Sequence, residues 1–267
     1  MSFRLRATFR DRLAAASRPL VGGWVCSGSP LVAEIMAGSG LDWLLVDMEH
    51  GPNTLDSVLA QLQAIDGSGA TPMVRVPIGD TVTIKQVLDL GAQNILVPMV
   101  SSADEARAAV AATRYPPRGR RGVGSALARS ARWNRVEDYL ATADASVSVF
   151  VQIENADGVD AAAEIAAVEG IDGVFVGPSD LAASLGLLGQ QTHPDVVAAV
   201  RRTFAAVRAA GLPVGVNAFD PQLAQAYLDD GAAFILVGAD VALLARGSEA
   251  LAARWVAEHD DAERDSY

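Results

Sequence analysis

Four short stretches place ionisable side chains in otherwise apolar surroundings: VDMEHGPN (46–53), MVRVP (73–77), VQIEN (151–155) and VGPSDL (176–181). In an extended run side chains alternate, so Val149, Val151 and Ile153 share one face and Phe150, Gln152 and Glu154 the other. A buried, unpaired carboxylate is costly, so Glu154 must reach water or meet a cation. Glu154 and Asp180 each end an apolar run with no basic residue in their own motif. Such a pair suits a hard divalent cation that keeps open positions for substrate oxygens and water. The competing reading is helix capping, with Asp180 ahead of LAASLG and Asn155 or Asp157 ahead of GVDAAAEI.

His50 stands between carboxylates and a Gly-Pro turn, where a carboxylate partner would orient an imidazole acid/base. His193 and His259 read as surface residues at a helix start and in the tail. Arg75 is a permanent charge inside an apolar run. Its fork suits a carboxylate or a developing enolate oxygen. The alternative for Arg75 is a buried ion pair with Asp47 or Glu49.

Eight apolar runs can carry these groups: 21–28, 43–50, 71–77, 94–100, 147–155, 173–180, 213–220 and 233–240. Helical patterns separate them, among them TVTIKQVLDLGAQ and GVDAAAEIAAVEG, and LLARGSEALAARWVAEH (243–259) closes the series. Eight βα units in roughly 240 residues predict a TIM (β/α)8 barrel of the α/β class. A single domain over 1–267 is expected, with its core at about 18–256 and an amphipathic N-terminal helix leading in. A doubly wound sheet would want a G-x-G-x-x-G turn after its first strand, and WVCSGSPLV has none. In such a barrel catalytic groups gather at the C-terminal strand ends. That rule adds Ser179, Asn217 and Asp240 to the candidates above.

Composition narrows the chemistry. Lys85 is the only lysine and lies in a helical pattern, so neither a Schiff base nor pyridoxal chemistry is expected. Metal-ion Lewis acidity is then the expected way to stabilise an enolate. Cys26 is the only cysteine, which excludes disulfides and thiolate metal cages within one chain. A net charge of −11 argues against nucleic acid and anionic membranes as partners. No run approaches the roughly 18 apolar residues of a membrane span, and the Arg-rich start has no apolar h-region. A cytoplasmic protein is expected, with a mitochondrial presequence as the lesser alternative. Seven arginines between Arg114 and Arg135 are expected near the barrel mouth or at a subunit contact.

Together LLVDMEHGPN, MVRVP, GAQNILVPMV, YPPRGRRGVGSALARSARWN, VQIEN and VGPSDLAASLG resemble the HpcH/HpaI family of metal-dependent pyruvate aldolases, from about Arg18 to Arg254. The resemblance implies that Glu154 and Asp180 hold Mg²⁺, Mn²⁺ or Co²⁺. It implies that the Ser179 and Asp180 N–H groups bind a pyruvate carboxylate, with Gln152 nearby. Arg75 would stabilise the enolate and His50, with Asp47 in the same motif, would serve acid/base catalysis. Trp24, Gly177, Pro178 and Asn217 would line the substrate site. By the same resemblance Asp89 would act on the histidine of a neighbouring subunit, in a hexamer built as a trimer of dimers that exchange their last helix. Asn217 and Met48 depart from the family pattern on the aldehyde side. The expected reaction is reversible cleavage of 4-hydroxy-2-oxo acids to pyruvate and an aldehyde. Oxaloacetate decarboxylation, or a metal-dependent hydrolase or isomerase of sugar acids, are the alternatives.

Overall fold

A computed structural model describes residues 3–256. Eight parallel strands close into one barrel in chain order. They are β1 (Leu20–Val25), β2 (Trp43–Asp47), β3 (Thr71–Arg75), β4 (Asn94–Val97), β5 (Ser148–Ile153), β6 (Gly173–Val176), β7 (Val214–Asn217) and β8 (Phe234–Ala239). Seven lie inside one of the eight expected runs, and β1 begins one residue before its run, at Leu20. The strands stop short of the runs' ends, so Glu49, His50, Glu154, Ser179 and Asp180 follow the last strand residues and sit at one rim.

Period-two alternation divides every strand between two cores. Trp43, Leu45, Met73, Leu96, Phe150, Phe175 and Phe234 fill the barrel interior. Leu44, Val46, Val74, Val149, Val151, Val174 and Val216 pack outward with the helices. The interior needs small residues opposite large ones. A Cβ on Gly215 would stand 2.3 Å from the Phe234 ring, so glycine there is the space the phenylalanine occupies.

The helix Phe9–Ala15 closes the N-terminal end of the barrel. Thr8 and Asp11 form a reciprocal capping box at its start. Phe9 then inserts against Trp43, Phe150 and Phe234, with ring centroids 5.0–5.4 Å away. Its own N–H donates to Asn94 Oδ1 at 2.6 Å.

Three expectations need correction. The run GVDAAAEIAAVEG is not one helix; Ala156–Asp160 and Ala162–Ala166 are separated at Ala161, whose ψ of 3° breaks the helical repeat. The last helix begins at Asp240, earlier than Leu243, and runs to Trp255; its expected end at His259 lies outside the described residues.

The arginine segment does not lie at the mouth. The helix Ala103–Thr113 descends from the rim, so the chain emerges at the opposite end, where β5 also starts, and has no need to climb back. There Arg129 and Arg132 bind Asp66 at 3.1 and 3.0 Å, and Arg121 binds Asp89 at 3.2 Å, all at helix ends that lead into β3 and β4.

Among the described residues no helix is long and apolar enough to cross a membrane. The helix Asp240–Trp255 buries only Asp240 and leaves Leu243, Leu244, Leu251 and Trp255 exposed.

Phe9→Ala should cost about 3–5 kcal/mol, because the hole at the barrel floor is walled by rings that cannot collapse into it. Urea unfolding followed by tryptophan fluorescence should show the lower midpoint.

Candidate active site

The rim at the C-terminal strand ends holds a cavity of about 120 Å³ lined by Trp24, His50, Arg75, Gln152, Phe175, Gly177, Pro178, Ser179, Asp180 and Asn217. Nine of the residues named from sequence therefore meet in one place, and Phe175 of β6 is the one lining residue not named there. Glu154 and Asp47 are buried beside it, 1% exposed each.

Arg75 organises the site. Strand register sets it opposite Asp47 on β2. Its Nε and Nη2 donate to the two Asp47 carboxylate oxygens at 2.8 and 2.7 Å, a bidentate pair. Nη1 lies 2.8 Å from Glu49 Oε2 and 3.5 Å from Gln152 Oε1. The guanidinium also stacks over Trp24, 4.4 Å from the ring centroid. The expected ion pair with Asp47 or Glu49 is thus formed with both, while Arg75 still lines the cavity.

The ion pair sets the task that the structure shows for Asp47. Both its oxygens hold Arg75, and Oδ1 also accepts the Glu49 N–H at 3.0 Å. It positions the arginine, and the structure does not bring it into a bond with His50. His50 is exposed on the β2 loop and makes no hydrogen bond among the described residues. Gly51 carries that loop close over the strand end, where a Cβ would come 2.6 Å from the Asp47 carbonyl.

Glu154 is held from two sides. Oε1 accepts the Met99 N–H at 2.7 Å, and Oε2 accepts from the Gln152 amide. Because Gln152 Oε1 faces Arg75, the amide can only present its NH₂ to Glu154. Burial pushes the Glu154 carboxyl up to about 7; the Met99 N–H opposes this, and the nearby Glu49 and Asp180 add to it. Burial raises Glu49 in the same direction, against the pull of Arg75 and His50.

Neither Glu154 nor Asp180 caps a helix. Asn155 accepts the Gly158 N–H at 2.7 Å and takes the first cap. The helix Pro178–Ser184 starts at Gly177 with no side-chain cap at all. Gly177 itself is a cradle: a Cβ there would stand 2.7 Å from both Gln152 Nε2 and Glu154 Oε2.

Three carboxylates, Glu49, Glu154 and Asp180, therefore face one arginine already neutralised by Asp47. That excess of oxygen and negative charge fits a divalent cation at Glu154 and Asp180 with further positions left for other oxygens. Among the described residues no group of three or more His, Cys, Asp or Glu is placed to hold a metal ion, so this chain offers a cation the two carboxylates alone.

A family model described as HpcH/HpaI aldolase/citrate lyase matches residues 20–247. The chain belongs to that family. A relative from Salmonella dublin, named 4-hydroxy-2-oxo-heptane-1,7-dioate aldolase, is 52% identical over 254 residues, 95% of this chain and 96% of that one. The crystal structure of an HpcH/HpaI aldolase/citrate lyase family protein from Burkholderia cenocepacia J2315 is 42% identical, with a TM-score of 0.89 over 93% of this chain and 99% of that one. An HpcH/HpaI aldolase from Desulfitobacterium hafniense DCB-2 is 28% identical, with a TM-score of 0.83 over 92% and 97%.

Other candidates of this HpcH/HpaI family member fall outside the rim or serve its framework. Asp89 ends the helix Thr81–Asp89 and is bound to Arg121, at the far end of the barrel from its own His50. Asp240 accepts the N–H groups of Cys26, Ser27 and Val241 at 2.7–3.0 Å, which ties the β1 loop to the last helix. Burial pushes the Cys26 thiol up to about 12, so it is no thiolate nucleophile near neutral pH.

Sequence reasoning missed Met99. Its φ of 56° is left-handed, an uncommon backbone state for methionine, and it is what turns the N–H toward Glu154. No side-chain type signals a backbone donor; Pro98 before it is the only hint of a turn.

The raised carboxyl has a signed consequence for the metal-free protein. Glu154 is protonated more readily in the fold, near 7, than an ordinary glutamate at 4.5. Its contribution is therefore complete below about pH 4.5 and is lost as pH rises through about 7, at most roughly 3 kcal/mol. The melting temperature in EDTA should fall between pH 5 and pH 8, and Glu154→Gln should flatten that fall. A wild-type melting temperature that rises over this window would contradict the burial argument.

Proposed function

We propose that this chain catalyses the reversible cleavage of 4-hydroxy-2-oxo acids to pyruvate and an aldehyde. The observation that carries the reading is the braced Arg75 beside the paired acids Glu154 and Asp180, in a cavity with no lysine. Lys85 lies on an outer helix beside Gly122, remote from the rim. Membership of the family and the name of the Salmonella dublin relative support the same chemistry. The protein is a carbon–carbon lyase of the class II aldolase type.

Cleavage requires loss of the C4 hydroxyl proton, breakage of the C3–C4 bond and delivery of its electron pair to the pyruvate enolate. His50 lines the cavity and takes that proton in cleavage, returning it to the alkoxide in the addition. Arg75, fixed by Asp47 and Glu49 and lining the cavity, offers its positive charge to the negative oxygen of the enolate. The Ser179 and Asp180 N–H groups, at a helix start free of any side-chain cap, receive the substrate carboxylate. Gln152 keeps Arg75 and Glu154 in register. A divalent cation, Mg²⁺, Mn²⁺ or Co²⁺, held by Glu154 and Asp180 supplies Lewis acidity toward the 2-oxo acid when bound.

The proposal extends to assembly. Asp89 sits partly exposed at the floor, so it serves a histidine only in another copy. The bare apolar side of the helix Asp240–Trp255 supports exchange of that helix between copies in a hexamer.

The reading predicts exchange of pyruvate methyl protons in D₂O with Mg²⁺ or Mn²⁺, followed by NMR. EDTA should stop it, and Glu154→Ala should lower its rate at least about 100-fold with the fold intact. Exchange at the wild-type rate in Glu154→Ala would remove Glu154 from the reaction.

A further inference from the structure

The aldehyde half of the site has one group that the account above leaves unused. Asn217 ends β7 with its side chain directed into the barrel mouth, in phase with Gly215 below it. Its Oδ1 accepts the Trp24 indole N–H at 2.8 Å. Indole nitrogen only donates, so this bond decides which way the amide lies: oxygen toward Trp24, NH₂ away from it. That NH₂ makes no hydrogen bond to any described residue, and Asn217 lines the cavity. Trp24 cannot swing to release it, because Arg75 stacks on its face and Phe175 meets it edge-on at 6.3 Å. The two N–H donors of one oriented amide therefore stand at the cavity wall, with Trp24 and Phe175 as its aromatic neighbours.

We propose that Asn217, held by Trp24, selects acceptor aldehydes that carry a hydrogen-bond-accepting oxygen next to the carbonyl carbon. The inference rests on the aldolase reading and deepens it on the acceptor side. An unsubstituted aliphatic aldehyde leaves the amide donors dehydrated and unpaired when it enters. A hydroxylated aldehyde of the same size satisfies them. Sites built around such a donor discriminate against the analogue that lacks the oxygen far more strongly than an apolar wall distinguishes shapes.

The test uses full-length protein with pyruvate and Mn²⁺, and two acceptors of nearly equal size, glycolaldehyde and propanal. Wild type should favour glycolaldehyde in kcat/KM by about tenfold or more. Asn217→Leu should reduce that ratio about tenfold. Trp24→Phe, which keeps an aromatic wall but removes the donor that orients the amide, should also reduce it. Pyruvate methyl exchange measured in each protein identifies chains with a working donor half. Unchanged ratios in both variants, with exchange present, would overturn the acceptor assignment and leave the aldolase reading standing. Absence of exchange in wild type with Mg²⁺, Mn²⁺ and Co²⁺ would overturn the aldolase reading and this inference with it.

Discussion

The burial of Glu154 is the constraint around which this rim is arranged. Its carboxylate is out of water, with two further acids nearby and a single arginine whose charge Asp47 already offsets. An uncompensated carboxylate in such a place is expensive, and the fold meets that expense with fixed dipoles: the Met99 N–H on one oxygen and the Gln152 amide on the other. Those donors fix the carboxylate in place but do not cancel its charge. A divalent ion would, which is why the same group of residues reads at once as costly in the metal-free chain and as suited to a metal.

Labour is divided between the two ends of the barrel. At the floor, Phe9 plugs the interior and arginines tie helix ends to the segment that follows the fourth unit. Arg6 donates to the backbone carbonyls of Ile65, Asp66, Ser68 and Ala70. At the rim, side chains that stability alone would not choose are collected and braced. The Asp47–Arg75 pair illustrates the coupling: it is a buried ion pair, and it also aims a cation at the cavity. Replacing it with apolar residues could preserve the barrel but not the site.

Much of this was legible in the chain. Eight apolar runs, their alternation and their spacing gave the barrel, and the rule that strand ends carry chemistry picked out Glu154, Asp180, Arg75 and His50. Alternation in VFVQIEN was enough to put Gln152 and Glu154 on the inner face. Other features left no mark in residue types. Met99 acts through its backbone, and Asp47 could not be told apart from a histidine partner until its two oxygens were seen on Arg75. The arginine segment misled because charge suggests a mouth, whereas its position follows from which end of the barrel the preceding helix reaches. Asp89 lies at the far end of the barrel from its own His50, so proximity within one chain gives it no part at the rim.

The central claim, that Glu154 and Asp180 form a cation site poised by burial, is tested most directly by titrating the metal-free protein with Mn²⁺ and following free Mn²⁺ by electron paramagnetic resonance. The account predicts one site per chain at pH 8, weakened at least about tenfold at pH 5.5, where Glu154 holds its proton, and lost in Glu154→Gln. Binding of equal strength at both pH values, or retained in Glu154→Gln, would place the metal elsewhere and contradict it.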